Sequence, residues 1–267
     1  GGVGVVWAVV WHLKYRDHPA EEPGITAQEL EEIGAPKEIP DHRAIPWGRL
    51  FRAPQLWLIM VMYSFYVWGS TFYLTWLHTY LVKGRGFSEE EMRPLSVLPF
   101  VLGAMANPLG GFLSDKLSRK FGLKLGRRLM GSTCLAIAAL FLLATALTTG
   151  RWSGLLLLAL GFGVMDLMLP SAWAVCLDVG GRHAGAVSGA MNSFGHVGGT
   201  LCSVLFGYLV EKYHSYNVPL VVIACNVLVA AFLFAWIDPS KPLLREEAPV
   251  EAAPTPHPLF PAAGERG

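Results

Sequence analysis

The sequence predicts an all-α membrane protein, built as a bundle of six transmembrane helices. Of its 267 residues, 53% are hydrophobic and only 15% are charged, whereas a soluble domain carries about 25% charged residues. Five long stretches contain no Lys, Arg, Asp or Glu, and a sixth contains only Asp166. A helix needs about 20 apolar residues to cross the hydrocarbon core of a bilayer. The predicted helices cover about residues 54–82, 94–114, 129–149, 152–177, 184–210 and 217–237.

Segments of different character flank this bundle, residues 53–237. Residues 1–12 are apolar but too short to span a bilayer, and they lack an initiating Met and the basic start of a signal peptide. We interpret them as the end of a truncated preceding transmembrane helix, and the chain as a fragment of a longer polypeptide. Residues 13–52 are polar and proline-rich, which predicts a linker. Within it, Thr26 and Glu29 have the spacing of a capping box and predict one short helix.

The basic residues predict the orientation of the bundle in the membrane. Residues 13–52 and residues 115–128 each hold six Lys and Arg residues, whereas the loops expected on the opposite side hold five in total. This positive-inside bias places the linker and the C-terminus in the cytoplasm. We therefore expect an integral membrane protein. Residues 238–267, rich in Pro and Ala, predict a disordered cytoplasmic tail.

The third and sixth predicted helices are mostly apolar, whereas the other four carry aromatic, amide, hydroxyl, carboxyl or imidazole groups. Such polar groups are costly in lipid unless they face protein or a watery cavity. We expect the third and sixth helices to lie towards lipid and the other four to line an interior. The four Cys and eight His lack metal-ligand spacing, so no metal site is expected. We also expect no other cofactor and no nucleic-acid partner.

A gate is predicted between the second and third helices, on the side expected to be cytoplasmic. The candidate residues are Gly111, Asp115, Arg119 and Arg127. Asp115 is expected at a helix end, where it would pair with a basic side chain or with the N-terminus of a neighbouring helix. An ion pair of this kind would close one face of a transporter and break when the two halves rock. The alternative is an ordinary positive-inside loop.

This gate segment resembles the signature loop of the major facilitator superfamily, in its second-half copy, although the family prefers Gly at the position of Ser118. Two further segments are similar to the anion:cation symporter family, whose bacterial members import hexuronates, galactonate and glucarate with protons. The segments are PQLWLIMVMYSFYVWGSTFYLTWLHTYLVKGRGFSEEE at 54–91 and PSAWAVCLDVGGRHAGAVSGAMNSFGHVGG at 170–199. The resemblance covers nearly the whole chain, from the linker to the last helix.

The resemblance implies the second six-helix half of a twelve-helix major facilitator fold embedded in the lipid bilayer. It implies a secondary active transporter that moves a small organic anion, such as a sugar acid, by alternating access with proton symport. The substrate cavity would form against a missing N-terminal six-helix bundle. No Lys or Arg lies within the core of a predicted span, so the charge that balances an anion would come from that bundle. The same arrangement would also suit a neutral sugar.

The fifth helix carries Ser188, Asn192 and His196 at i, i+4 and i+8, which places them on one face. This polar stripe would either bind substrate or form hydrogen bonds between helices. The resemblance implies that Asn192 contacts the substrate. His196 stands where many relatives have Asn.

The fourth helix carries Asp166, Pro170 and Trp173 on one face. Pro170 predicts a kink. Trp173 would bind a polyhydroxy substrate or anchor the helix at the membrane interface, and the neighbouring Ser171 is a further candidate for substrate binding. Asp166 would either carry the coupled proton or serve as a structural carboxylate bonded to neighbouring helices.

The first helix carries a tyrosine stripe that includes Tyr66. Tyr66 is a candidate substrate contact, although a stripe of this kind is more often packing. A membrane enzyme is the main competing class, but the sequence contains no cluster of catalytic groups. A transporter-like sensor that moves no solute is a second alternative.

Overall fold

The computed structural model describes residues 1–16, 19–33 and 45–244. The chain forms two compact units, Gly1–Ile45 and Pro46–Gly267. Helices account for the regular structure of the described residues, and no strand occurs among them. The fold class predicted from the sequence is confirmed at this level.

The first unit contains helices α1 (Gly2–Lys14) and α2 (Ala27–Ile33), with a 3-10 turn at Pro19–Glu21 between them. A capping box begins α2, as the sequence predicted. The Thr26 backbone N–H donates to Glu29 Oε2 over 2.9 Å, and the Glu29 N–H donates to Thr26 Oγ1 over 3.2 Å. The bonds from Thr26 lower the pKa of the exposed Glu29 carboxyl.

The second unit contains the bundle. Its helices are α3 (Trp47–Leu50), α4 (Pro54–Thr75), α5 (Leu77–Thr79), α6 (Glu89–Leu95), α7 (Leu98–Phe121), α8 (Leu123–Leu147), α9 (Arg151–Leu167), α10 (Leu169–Gly180), α11 (Ala184–Tyr213) and α12 (Asn217–Trp236). A π-helical turn at Tyr80–Gly84 follows α5, and a 3-10 turn at Gly181–His183 precedes α11. Leu50 of α3 is buried, so the bundle unit begins before the end of the predicted linker, residues 13–52.

Five helical runs in the described residues are long and apolar enough to cross a membrane. The run Arg151–Tyr213 has 63 residues, which is far more than one crossing needs. It reverses at Gly181, whose φ of +49° suits glycine, and α10 then packs against α11. The described residues therefore contain six helical segments of spanning length, with α9 and α10 forming the fourth.

The second and third spans are joined by a tighter turn than the sequence suggested. Helix α7 continues to Phe121 and α8 begins at Leu123, so that Gly122, with φ of +82°, makes the connection. Asp115 consequently lies inside α7, and its predicted position at a helix end is wrong. The reason is that a charged segment can leave the hydrocarbon region and remain helical, so loss of hydrophobicity does not mark the helix end.

The fourth span is interrupted at Met168, two residues before Pro170, where the sequence predicted a kink. Helix α9 ends at Leu167, α10 starts at Leu169, and Pro170 occupies the first turn of α10. Proline has no N–H to continue the helical ladder, and its ring excludes the carbonyl four residues earlier. Helix α7 lies close to this interruption, because a Cβ added to Gly110 would collide with the Leu167 carbonyl.

Helix α4 packs mainly against α11 and α12, α8 packs against α12 and α9, and α7 packs against α9. The core includes Leu56, Phe72, Leu135 and Phe234, all fully buried. The third and sixth spans, α8 and α12, are in direct contact, and their exposed positions include apolar side chains such as Leu140 and Phe232. Their exposure to lipid stays a prediction.

The segment after α12 differs from the prediction of a disordered tail at 238–267. Asp238 is nearly buried, and its carboxylate lies 2.8 Å from the Lys124 ammonium. Leu243 and Leu244 pack against the core. Residues 238–244 are therefore ordered, because they find both an ionic partner and an apolar surface. Residues 245–267 lie outside the described part of the chain.

Candidate functional site

A hydrogen bond inside the bundle joins α4 to the fourth span. The Tyr66 hydroxyl donates to Asp166 Oδ1 over 3.0 Å, and Tyr66 is only 4% exposed. Helix α7 closes the third side, because a Cβ added to Gly103 would lie 2.9 Å from Asp166 Oδ2 and 2.6 Å from the Phe162 ring. Asp166 therefore occupies a polar, half-buried position where three helices meet.

The other tyrosines of the α4 stripe pack inside the bundle. Tyr63 and Tyr73 are both buried, and the Tyr73 hydroxyl donates to the Leu158 carbonyl over 3.1 Å. Tyr66 shares this environment and has its hydroxyl engaged by Asp166. The structure thus places Tyr66 beside the carboxylate in the interior of the bundle, with its ring 5.3 Å from that of Tyr63.

Trp173 lies on α10 with 40% of its surface exposed, and its ring meets the ring of Tyr63 edge-on at 6.5 Å. Tyr63 in turn fills the space beside Gly195 of α11, where an added Cβ would lie 2.7 Å from the tyrosine ring. Cys176 and Met191 make a second contact between α10 and α11, with their sulfurs 3.3 Å apart. These contacts bring the exposed face of Trp173 alongside α11.

Ser171 does not share that face. It is fully buried, and its hydroxyl has no hydrogen-bond partner within the described residues. Two residues along a helix correspond to a rotation of about 200°, so Ser171 and Trp173 point to nearly opposite sides of α10. The structure separates these two predicted substrate contacts.

The polar stripe of α11 lies at the partly exposed surface of the bundle. Asn192 is half-buried and His196 is exposed. The Ser188 hydroxyl donates to the Ala184 carbonyl over 2.8 Å, within its own helix. Its oxygen retains the capacity to accept a hydrogen bond. Trp173, Asn192 and His196 thus present a ring, an amide and an imidazole on neighbouring helices.

A cluster of charged residues surrounds Arg127 at the end of the bundle where α7 turns into α8. The Arg127 guanidinium is nearly buried and donates to three side chains. Its Nη1 donates to Ser114 Oγ over 2.7 Å and to Asp115 Oδ1 over 2.9 Å, and its Nε donates to Asp178 Oδ2 over 3.2 Å. This Arg127 cluster, formed by Arg127, Ser114, Asp115 and Asp178, joins α8 to α7 and α10.

Two of the four predicted gate residues, Asp115 and Arg127, meet in the cluster. Arg119 lies exposed outside it, and a Cβ at Gly111 would make only an ordinary contact of 3.7 Å with Pro170. Sequence reasoning missed Asp178, which is 51 positions from Arg127 in the chain. The available signal was an acidic residue immediately after a nearly charge-free span.

Comparison with known proteins is consistent with this architecture. The sequence profile of the major facilitator superfamily matches residues 1–203, and the chain belongs to this superfamily. It is an integral membrane protein. The fold of a fucose:proton symporter from Escherichia coli is similar, with a TM-score of 0.58 over 71% of this chain and 44% of that chain, at 16% identity.

Three relatives are described as transporters. A probable sulfoacetate transporter of Cupriavidus necator is 33% identical over 95% of this chain and 59% of its own length. The hexuronate transporter of Bacillus subtilis is 29% identical over 80% of this chain and 50% of its own length. A probable galactarate/D-glucarate transporter of Escherichia coli is 27% identical over 88% and 55%, respectively. The chain thus spans about half the length of these relatives.

The superfamily match and these relatives confirm the resemblance inferred from the sequence, since the relatives are named as transporters of organic anions. They are transport proteins and not enzymes, which decides against the competing class of membrane enzyme.

Proposed function

We propose that the chain is the second half of a twelve-helix secondary active transporter that moves a small organic anion by alternating access with proton symport. A preceding six-helix bundle would complete the cavity. The observation that carries this proposal is the 33% identity to a probable sulfoacetate transporter over 95% of the chain. The relatives named for hexuronate and galactarate/glucarate support the same substrate class.

The substrates in the relatives' names are small acids with further polar oxygens, and the exposed groups of α10 and α11 suit such molecules. The Asn192 amide can both donate to and accept from a hydroxyl. The exposed ring of Trp173 can stack against a carbon chain while its N–H donates. Because the cores of the predicted spans contain no Lys or Arg, we assign the charge that balances the anion to the preceding bundle. A sugar acid is the substrate that we propose.

Asp166 is the proposed carrier of the coupled proton. A carboxylate within a span is costly and usually marks a proton or ion pathway. Its contact with Tyr66 across α4 and α9 supports this role, because a proton arriving there would change a bond between two helices. The alternative is a carboxylate that only holds those helices together. Uptake that remains uncoupler-sensitive in an Asp166→Asn variant would establish the alternative.

Uptake by the complete transporter in proteoliposomes tests the function. Labelled glucuronate, glucarate and sulfoacetate would each be offered with and without an imposed pH gradient, and a neutral hexose would serve as the comparison. We expect uptake of an acid, stimulated by the gradient and abolished by an uncoupler. Uptake of the hexose alone would establish a neutral-sugar transporter. Specific binding without uptake of any compound would identify a sensor.

The substrate site is tested by direct binding to two variants, Asn192→Ala and Trp173→Ala. Each removes a hydrogen-bonding group from the proposed cavity. We expect each to weaken binding about 5- to 150-fold, since a hydrogen bond lost from a desolvated site costs about 1–3 kcal/mol. Thr133→Ala on α8 is the matched control, because its hydroxyl donates to the Leu129 carbonyl of its own helix. If both variants insert normally and bind like the parent, the site assignment is wrong.

The orientation proposed for the protein places the linker and the C-terminus in the cytoplasm and the bundle in a bacterial plasma membrane. Its support is the excess of Lys and Arg in residues 13–52 and 115–128. The Arg127 cluster then lies at the cytoplasmic end, where we propose that it acts as the gate.

A further inference from the structure

The chain folds back onto the bundle after α12 ends at Trp236. We call residues 238–244 the C-terminal strap. Ile237 is fully buried at its start, and Leu243 and Leu244 pack against the core at its end. The strap lies at the end of the bundle where α4 and α8 begin and α10 ends.

Each of those three helices is bound by the strap at a different point. The Lys124 ammonium of α8 lies 2.8 Å from Asp238 Oδ2. The Gln55 side chain of α4 donates to the Asp238 backbone carbonyl over 2.7 Å. The Leu243 N–H donates to the Val179 carbonyl of α10 over 2.9 Å. Carbonyls in the last turn of a helix lack a helical partner, so the third bond also completes the end of α10.

Asp238 also stabilises a turn within the strap. Its Oδ1 accepts from the Ser240 N–H over 3.2 Å, and its backbone carbonyl accepts from the Lys241 N–H over 3.2 Å. These bonds form a tight turn of the kind that Asp stabilises. The hydrogen bond from Lys124 lowers the pKa of the Asp238 carboxyl. A lowered pKa means that the bond is present above the ordinary carboxyl pKa and is lost only as acid titrates the group, so the strap is fully bonded at neutral pH.

The strap and the Arg127 cluster share their anchor points. Val179, which accepts from the strap, directly follows Asp178, which accepts from Arg127. On α8, Arg128 directly follows Arg127 and donates to the carbonyls of Trp236 and Ile237, over 3.0 Å and 2.6 Å. The strap and the Arg127 cluster are thus anchored at adjacent residues, Val179 and Asp178 on α10 and Arg128 and Arg127 on α8.

We propose that the C-terminal strap is a positioning element that clamps the ends of α4, α8, α10 and α12 and keeps Asp178 within reach of Arg127. No residue of the strap need touch Arg127 for this effect, because the Leu243 bond fixes the backbone next to Asp178. Release of the strap loosens the last turn of α10 and weakens the cluster. A consequence for transport rests on the proposed function, whereas the structural effect does not.

Hydrogen exchange of the complete protein, followed by mass spectrometry, tests the structural effect. Asp238→Ala removes both the side-chain acceptor of the turn and the Lys124 pair, and Leu243→Pro removes the N–H that binds Val179. We expect each variant to raise exchange in peptides covering residues 178–183 about fivefold or more, the effect of one lost hydrogen bond. Ser240→Ala is the matched control, because it keeps the backbone N–H that Asp238 accepts and should exchange like the parent.

Peptides from the centre of α4 report whether a variant has loosened the whole bundle, and they should exchange at the parental rate. If both strap variants leave residues 178–183 exchanging like the parent, the strap does not position α10 and the proposal fails. It fails equally if the α4 peptides speed up as much as the α10 peptides in both variants. Faster exchange at α10 with unchanged uptake would uphold the strap and overturn the gating role of the Arg127 cluster.

Discussion

Asp166 and Arg127 show how single polar side chains are accommodated in an apolar bundle. Burying a charge is costly unless it is paired and hydrogen-bonded. Arg127, at 9% exposure, has three side-chain acceptors, whereas Asp166 accepts one bond from Tyr66. Arg127 is thus nearly satisfied by its three acceptors, whereas Asp166 has a single side-chain partner among the described residues.

Removing the Tyr66 hydroxyl is expected to affect both stability and transport. Tyr66→Phe leaves the packing ring but deletes the donor to Asp166, and a hydrogen bond to a charged group contributes about 1.5–3 kcal/mol. Thermal unfolding of the purified protein should show a loss of this order, and the pH dependence of uptake should move if Asp166 carries the proton. Tyr208→Phe, at an exposed position of α11, is the control. Unchanged unfolding and an unchanged pH profile would show that the bond contributes nothing.

The two acids of the Arg127 cluster are expected to differ in importance. The Asp178 side chain is 20% exposed and that of Asp115 is 61% exposed, and an exposed ion pair contributes little. We expect Asp178→Asn to slow transport more than Asp115→Asn, with substrate affinity within a few-fold of the parent in both. Arg119→Gln, outside the cluster, should transport normally. A large loss of affinity at an unchanged maximal rate would place these acids in the substrate site.

At the scale of elements, the contact between α4 and α11 depends on a few glycines. Of the two Gly pairs with i, i+4 spacing in α11, Gly195 and Gly199 lie against α4, whereas Gly185 and Gly189 have open space where a Cβ would be. Gly198 is closest of all, with the Ser64 carbonyl occupying the position of a Cβ. Small residues allow helices to approach closely in membranes, and here they do so at Gly195, Gly198 and Gly199 but not at Gly185 or Gly189.

Substitution of these glycines should therefore have opposite effects within one helix. Gly198→Ala forces α4 and α11 apart, and we expect a loss of about 1–3 kcal/mol in the free energy of unfolding, as in other overpacked interiors. Gly189→Ala meets no neighbour, so stability should be unchanged or rise by up to about 1 kcal/mol through helix propensity. Thermal unfolding of the two purified variants compares them directly. Equal losses would mean that both faces of α11 are packed.

At the scale of the whole molecule, the two ends of the bundle have different chemistry. One end carries the Arg127 cluster, the Lys124–Asp238 pair and the strap. At the other end, Arg151 donates to Glu91 over 2.6 Å and packs over the rings of Phe87 and Trp152. Helix α7 separates the two ends. The end that carries the strap thus joins its helices through the Arg127 cluster and the Lys124–Asp238 pair, whereas at the opposite end the Arg151–Glu91 pair is flanked by aromatic rings.

Single-cysteine labelling in intact cells tests this topology. Cysteines replacing Glu29 and Lys124 should react only after the membrane is permeabilised, whereas one replacing Glu90 should react from outside. The physical reason is the positive-inside rule, applied to the linker and to the turn between α7 and α8. A cysteine-free parent provides the background. Labelling of positions 90 and 124 from the same side would contradict the map.

Local features of the sequence were sufficient for much of this architecture. The long charge-free stretches predicted six spans, Thr26 and Glu29 predicted the capping box that begins α2, and Pro170 predicted a kink near the interruption between α9 and α10. Each depends on residues close together in the chain, so the rules of burial and backbone geometry apply without knowledge of neighbours. The superfamily was likewise recognisable from contiguous segments.

The tertiary structure alone decided which groups meet. Helical spacing places a residue on a face but does not say which helix packs there. The bond between Tyr66 and Asp166 crosses 100 positions of the chain, and the one between Arg127 and Asp178 crosses 51. The same limit explains Ser171, predicted as a substrate contact and found fully buried, and the strap, whose order depends on partners in three other helices. By itself the sequence determined where the apolar spans lie, because apolar length and backbone rules are local, whereas long-range packing determined which polar side chains are paired and which remain exposed.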